Sequence, residues 1–510
     1  MIAYLTNQAS IKAAVERINE LIQLHGEWLC VCGSRASTLK KSDCDFRLDH
    51  GRLIFFLRAE DGTRLWSVTG WERKGDRLRL EVSRRMGAEK RGLEFIPRAS
   101  ARAMKALLGT MRRERCRLLA ELACGLIRGS KVERAGLSTG SGPGQPGAFA
   151  RIILRQARER IGVAGIVGDS DGENLDAFLA STLIWFTRAC ERARQRFIQR
   201  LWLMVEGNLV EPLAERLALL RDDLRQTITL FALDDEGREL TRAELPGLTD
   251  LLARKRPRLK GPAMKPLPSE SAERIIALRP EAIDVIRSRH GETLRFHGLA
   301  FARVRRWMGS ERVWFGVESG RRKLFEEATK EDWIKLIEDL STYRAEGADH
   351  GHALYRAAPE AWLESLLRRD ITQLDPGLRL APLYAQFRPS RPATGGSRPI
   401  DLLALRHDGR LAVIELKVSE DREHVLQGAA YYLEVEAHRR AGNVGRARLF
   451  GDALIADEPT LVYLVAPILR SHRAFETLAH SISPEIELYR FDINEDWRAG
   501  VRVLRRSRAN

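Results

Sequence analysis

Residues 398–417 read R-P-I-D-L-L-A-L-R-H-D-G-R-L-A-V-I-E-L-K, and after a polar break residues 425–432 continue V-L-Q-G-A-A-Y-Y. Ile400–Leu405 and Leu411–Leu416 are apolar runs of strand length, joined through His407-Asp408-Gly409. Asp-Gly between two such runs signals a hairpin, because glycine accepts the positive φ that a tight turn demands. Two antiparallel strands are expected. Side chains alternate along a strand, so Val413, Glu415 and Lys417 share one face while Ala412, Ile414 and Leu416 take the other, which suits the buried side of a sheet. The hairpin folds the chain back, which returns Asp401 to the side of Glu415 and Lys417. Two acids and a lysine then converge at one end of a sheet.

That grouping has a chemical meaning. A hard cation such as Mg2+ takes one or two carboxylates, with carbonyls and waters completing the shell. Asp401, Glu415 and the Leu416 carbonyl form such a donor set, and Lys417 stands where it orients an attacking water and meets charge on a phosphate. The pattern D-x13-E-x-K resembles the PD-(D/E)XK nuclease superfamily, with the proline displaced to Pro399. Gln427 and Tyr431 match the Q-x3-Y helix of its RecB-like branch, and a four-residue step sets them on one helix face. Upstream, a helix over Pro359–Arg369, a turn at Asp375-Pro376-Gly377-Leu378 and a strand over 380–387 follow an order similar to that of NucS-type endonucleases.

The resemblance covers the last third of the chain. It implies an αβββαβ nuclease-like core and metal-dependent hydrolysis of phosphodiester bonds in DNA, with Mg2+ or Mn2+ as the cation, in repair, restriction or defence. It also implies that the Pro359–Arg369 helix carries a further acid, Glu360 or, one turn on, Glu364, and that Gln427 and Tyr431 orient substrate or site. The plainer reading is that E-L-K closes an ordinary solvated strand. In that case the chain is a catalytically inactive nucleic-acid-binding or scaffold protein with a nuclease-like fold.

Composition bears on both readings. The chain has 510 residues, 44% of them hydrophobic, enough for several packed domains of α/β (mixed α+β) class. A net charge of +16 fits a phosphate-bearing partner, DNA first with RNA left open, although arginine is abundant everywhere and composition alone supplies part of the excess. No apolar run is long enough for a membrane span, and M-I-A-Y-L-T-N-Q lacks the basic and apolar regions of a signal peptide, so no membrane partner and a cytoplasmic location are expected. Cysteines at 30, 32, 44, 116, 124 and 190 show no paired C-x2-C spacing, which argues against zinc sites and a disulfide framework. No Walker pattern occurs. A homodimer is left open.

The remaining organisation follows from punctuation. Residues 1–128 read as a small antiparallel β module with flanking helices over 11–25 and 101–128. Residues 129–147, rich in Gly, Ser and Pro, read as a flexible linker. Residues 148–250 echo the nuclease core: Arg151–Val167 lies beneath Asp401–Lys417, and 201–205 beneath 461–465, but Arg151, Gly165 and Val167 stand where the acids and lysine should be. That region is expected to be a degenerate second copy. Residues 251–270 form a basic, proline-rich linker, 271–350 an α+β connector with a helix over 271–287 and a strand over 293–305, and 351–510 the nuclease-like domain. In the connector, Arg303, Arg305, Arg306, Trp307, Arg312 and Trp314 interleave arginines with aromatics, a pattern of nucleic-acid surfaces and equally of half-buried sheets.

Overall fold

A computed structural model describes residues 3–510 apart from 6–7, 33–34, 60–61, 85–88, 140–145, 158, 169–174, 193–197, 235–236, 256–258, 260–266, 289–290, 308–309, 318–321 and 388–398. The chain is a mixed α/β, multidomain protein with several sheets. It divides into two compact units, one comprising Met1–Asp169, Arg196–Met204 and Arg238–Leu240, the other Ser170–Gln195, Val205–Gly237 and Thr241–Asn510. Among the described residues no helix is long and apolar enough to cross a membrane.

In the first unit, Cys44–Asp49, Arg52–Ala59, Gly62–Lys74, Arg77–Arg84 and Glu89–Pro97 pair as an antiparallel meander. The sheet continues from Glu89–Pro97 through Glu27–Cys32 to Arg35–Lys40. The helix Gln8–Gln23 lays Ile11, Ala14, Ile18, Leu21 and Ile22 against it, at the three- and four-residue spacing of one helix face. The six cysteines are free thiols, and burial pushes the Cys30 thiol up to about 12.

The same unit contains strands Lys131–Thr139, Pro146–Gln156 and Glu159–Ile166 and, up to Met204, the strand Ile198–Glu206, which pair in that order. The first two contacts are antiparallel and the third parallel. A flexible linker is therefore not what Lys131–Thr139 forms. Its first six residues are exposed on the strand, so no alternation of apolar and polar residues announces it; residues 140–145 of that stretch lie outside the described residues.

In the second unit, strands Tyr384–Phe387, Ile400–Leu405, Leu411–Leu416, Leu461–Pro467, Leu488–Ile493 and Val503–Arg508 lie side by side in chain order. Their first four members repeat the antiparallel, antiparallel, parallel pattern. In both places the chain passes through a helix before the parallel strand, Leu175–Arg192 in one and His424–Arg440 in the other. Gly165 pairs with Met204 as Glu415 pairs with Leu464, so the sequence echo and the strand registers coincide there. One position shifts. Ala150 pairs with Gly165, so Ala150, not Arg151, occupies the place of Asp401.

The Leu411–Leu416 strand is buried on both faces, whereas alternation suggested one buried side. Trp362, Leu363, Leu367, Ala412, Ile414 and Leu416 share one core, while Leu403, Val413, Tyr431, Val435 and Phe450 share the other. Each large side chain removed from water here contributes about 1.5–3 kcal/mol.

Before this sheet stands another, built from Ile283–Ser288, Gly291–Phe296, Leu299–Trp307, Ser310–Phe315 and Lys323–Leu324 and followed by the helix Lys330–Tyr343. Two expectations fail here for local reasons. The helix Glu270–Ile276 ends before Pro280, whose ring cannot continue it, and Ile283–Ser288 is a strand. The stretch 293–305 is broken into two strands by a turn at His297-Gly298, where both residues have positive φ.

Candidate active site

The hairpin turn is built as its sequence predicts. Gly409 takes φ +84, and Asp408 Oδ1 accepts the Arg410 N–H at 3.0 Å. The register Leu402 to Ile414, Leu403 to Val413 then brings Asp401 opposite Glu415. Asp401 Oδ2 accepts the Leu416 N–H at 2.9 Å, and Lys417 Nζ lies 3.0 Å from Glu415 Oε1. The three residues do converge.

Electrostatics at this point are unfavourable. Glu415 is 2% exposed, and its Oε2 is buried without a hydrogen-bond partner. Burial, then the charge of Asp401, pushes its carboxyl well above the usual carboxylate range against the pull of Lys417. Burial alone would depress the Lys417 ammonium, but Glu415, Glu360 and Asp421 together hold it above its ordinary value. Asp421 Oδ2 lies 3.5 Å from Lys417 Nζ, so a further acid, four residues on in the loop before the next helix, joins the group.

The helix Pro359–Arg369 begins exactly as Pro at its first position requires, and Glu360 sits in its first turn. Glu360 is raised by burial, lowered by Lys417, and raised again by Asp401 and Asp421, and it accepts a hydrogen bond from the Val418 backbone. Those neighbours place it at the site. Glu364 is elsewhere: it is buried in an ion pair with Arg295, Nη1 to Oε1 at 3.1 Å. Of the two acids left open by the sequence, Glu360 is the one near Lys417.

On the helix His424–Arg440, Gln427 is buried with its Oε1 unpartnered and its Nε2 3.5 Å from Glu423 Oε2. Tyr431 donates to the Pro399 carbonyl at 3.2 Å, tying the helix to the residue that precedes the Asp401 strand. His424, which the sequence reading missed, lies 3.2 Å by Nε2 from the Glu415 carbonyl. Burial and the nearby Lys417 lower it to about 4, so it is neutral and its ring N–H donates. Its one signal was position, three residues before Gln427 on the same helix face.

Among the described residues no three His, Cys, Asp or Glu side chains come together closely enough to hold a metal ion. A hard divalent cation does not require three. One or two carboxylates with waters is the ordinary Mg2+ set, and Asp401, Glu415 and the orphaned Glu415 Oε2 fit it.

The second cluster singled out from the sequence is also assembled. Across neighbouring strands Arg303 faces Trp314 and Arg305 faces Arg312, while Trp307 is 58% exposed. Burial, then the charges of Arg305 and Arg322, lowers the Arg303 guanidinium. The arginines therefore crowd one another, and among the described residues none of Arg303, Arg305 and Arg312 forms an ion pair with a carboxylate.

No protein-family model matches this chain, and no curated protein matches it. Two solved structures are similar to part of it. One is an EndoMS–dsDNA2 complex, 15% identical, covering 41% of this chain and 93% of that one with a TM-score of 0.14. The other is a repair endonuclease from Pyrococcus abyssi, 10% identical, covering 42% of this chain and 94% of that one with a TM-score of 0.12.

Proposed function

We propose that this chain is a metal-dependent endonuclease that hydrolyses phosphodiester bonds of DNA at the Asp401, Glu415 and Lys417 site. The observation that carries the proposal is the buried Glu415 carboxyl, set against a second acid with one oxygen unsatisfied. Two adjoining carboxylates in a buried place repel, and a divalent cation is what turns that cost into binding.

Asp401 and Glu415 are the residues that would hold Mg2+ or Mn2+, with the Leu416 carbonyl as a backbone donor. The cation would supply Lewis acidity and a template for in-line displacement. Lys417, held by Glu415 and Asp421, orients the attacking water and meets negative charge on the phosphate. Glu360 adds a further acid beside Lys417, outside the pair that would hold the cation. Gln427, through its unpartnered Oε1, and Tyr431, through its hold on Pro399, orient substrate and strand. Arg303, Arg305, Arg312 and Trp314 offer the backbone and the bases a second, basic and aromatic surface.

The test is cleavage of plasmid and single-stranded DNA by wild type and Lys417→Ala with Mg2+, Mn2+ or EDTA. Metal-dependent cleavage lost in the variant supports the proposal. A folded protein that binds DNA and does not cut it with either metal sinks it in favour of an inactive nucleic-acid-binding protein.

A further inference from the structure

The helix that carries Glu360 is held through the His297-Gly298 turn of the preceding sheet and through Arg344, which follows the helix Lys330–Tyr343. Arg344 is fully buried and its hydrogen bonds all go to backbone carbonyls. Its guanidinium donates to His297 and Leu354, each at 2.8 Å, to Ala357 at 2.7 Å, to Phe296 at 2.9 Å and to Ala358 at 3.3 Å. It also lies 4.6 Å over the Trp362 ring. A buried guanidinium without a carboxylate is costly, so a purely space-filling role would be met better by Leu or Met. What Arg344 does that they cannot is bind the turn at His297 to the last two residues before Pro359 at once.

The second grip is steric. Gly298 has φ +79, and a Cβ there would lie 1.9 Å from the Ala361 carbonyl oxygen and 2.8 Å from the Trp362 nitrogen. The hairpin backbone thus rests on the backbone of the first helical turn, one residue from Glu360. His297 stacks on Trp362 with ring centroids 5.2 Å apart, and Arg295 pairs with Glu364 one turn further on. Ala358 is itself held at φ +39, a left-handed conformation that alanine adopts only when its surroundings impose it.

We propose that Arg344 and Gly298 are positioning residues for Glu360, so that the sheet from Ile283 to Leu324 is a working part of the metal site. This rests on the metal-site reading above. The acid cannot move relative to Asp401 and Lys417 without displacing the His297-Gly298 turn, and the turn cannot move without dragging the acid.

The experiment measures Mn2+ affinity of the full chain by calorimetry. Glu360→Gln is expected to weaken binding roughly tenfold, the range seen for groups that orient a metal's ligands. Gly298→Ala is expected to weaken it by a similar factor, and the double variant by no more than the worse single one, since both remove the same interaction. Arg344→Lys, which keeps the charge and loses the fork, serves as a third variant, and Gly298→Ala carries the test where Arg344→Lys does not fold. Val304→Ala, in the core of the same sheet, should lower stability and leave affinity unchanged. Additive losses in the double variant, an unmoved affinity in Gly298→Ala, or an equal loss in Val304→Ala would each overturn positioning. Mn2+ affinity that survives Asp401→Asn would instead sink the metal site and this inference with it.

Discussion

Replacing Glu415 by glutamine separates a metal site from a structural ion pair. In the folded, metal-free protein, burial and the Asp401 charge keep the Glu415 carboxyl protonated well above the pH at which the unfolded chain releases that proton. An ordinary glutamate ionises near pH 4.3, so above that value the folded state binds one more proton than the unfolded one at this position. Stability must then fall as pH rises, by up to about 1.4 kcal/mol per unit, and level off once the raised value is passed. Glutamine keeps the shape and cannot ionise. Denaturant titrations with EDTA should therefore show Glu415→Gln flat where the wild type declines, and more stable than the wild type at about pH 8.

Divalent metal should reverse the order. A cation that binds only the folded state at a hundred times its dissociation constant adds about 2.7 kcal/mol. For a unit of this size, at about 2–4 °C per kcal/mol, the thermal midpoint should rise by roughly 5–11 °C. The variant should lose most of that rise and all metal-dependent cleavage, with its circular dichroism unchanged. The reasoning fails if Glu415→Gln is less stable than the wild type in EDTA across this range, or if Mg2+ raises both midpoints equally.

Other perturbations test neighbouring parts of the argument. Lys417→Met removes the ammonium 3.0 Å from Glu415 Oε1, the one neighbour that pulls the Glu415 carboxyl back toward ionisation, so the pH-dependent decline of the metal-free protein should extend to higher pH and cleavage should vanish, both read from one preparation. Arg303→Ala with Arg305→Ala removes two cations from the basic and aromatic sheet face, and the slope of log affinity for duplex DNA against log salt should flatten by about 1.8; an unchanged slope would remove that face from the DNA contact. Burial, then Arg369 and Arg344, lowers His297 to about 4. As pH falls, the unfolded chain therefore takes the proton first, near 6.5, and roughly 3 kcal/mol of stability drains away between there and the folded value. His297→Asn, which tolerates the positive φ, should show a shallower acid limb, whatever its stability at neutral pH.

What could be read from the sequence and what could not follows from how each element is buried. Ile400–Leu405, Leu411–Leu416, Leu461–Pro467 and Pro359–Arg369 were legible to the residue, because apolar runs there are bounded by Asp-Gly or Pro. Lys131–Thr139 was illegible because an exposed strand owes its place to backbone pairing with Pro146–Gln156, which leaves no mark on side-chain type. The His297-Gly298 turn was hidden inside a run of strand formers on both sides. At the site, the Asp401, Glu415 and Lys417 group was carried by local spacing. Asp421 and His424 were not, since their roles depend on where the polar loop after Lys417 returns, and on the helix lying across the strand end. The choice between Glu360 and Glu364 needed Arg295, a partner sixty-nine residues away.

The chain also contains its own control for the site. At the position that Glu415 holds in one strand pattern, the other has Gly165, and at that of Asp401 it has Ala150. A Cβ on Gly165 would lie 2.6 Å from Leu119 Cδ1, so an apolar side chain from the helix Ala101–Gly125 fills the space over the strand end. Ordinary packing therefore fills the place that Glu415 holds in the other pattern with an apolar side chain. The acids near the Pro359–Arg369 helix bring the opposite: a buried carboxyl, a second one beside it, and a desolvation cost of several kcal/mol that a leucine would not incur. Since the same pattern of strands forms without them, fold stability does not account for Asp401, Glu415 and Lys417. On the proposed reading, a divalent cation is what offsets that cost.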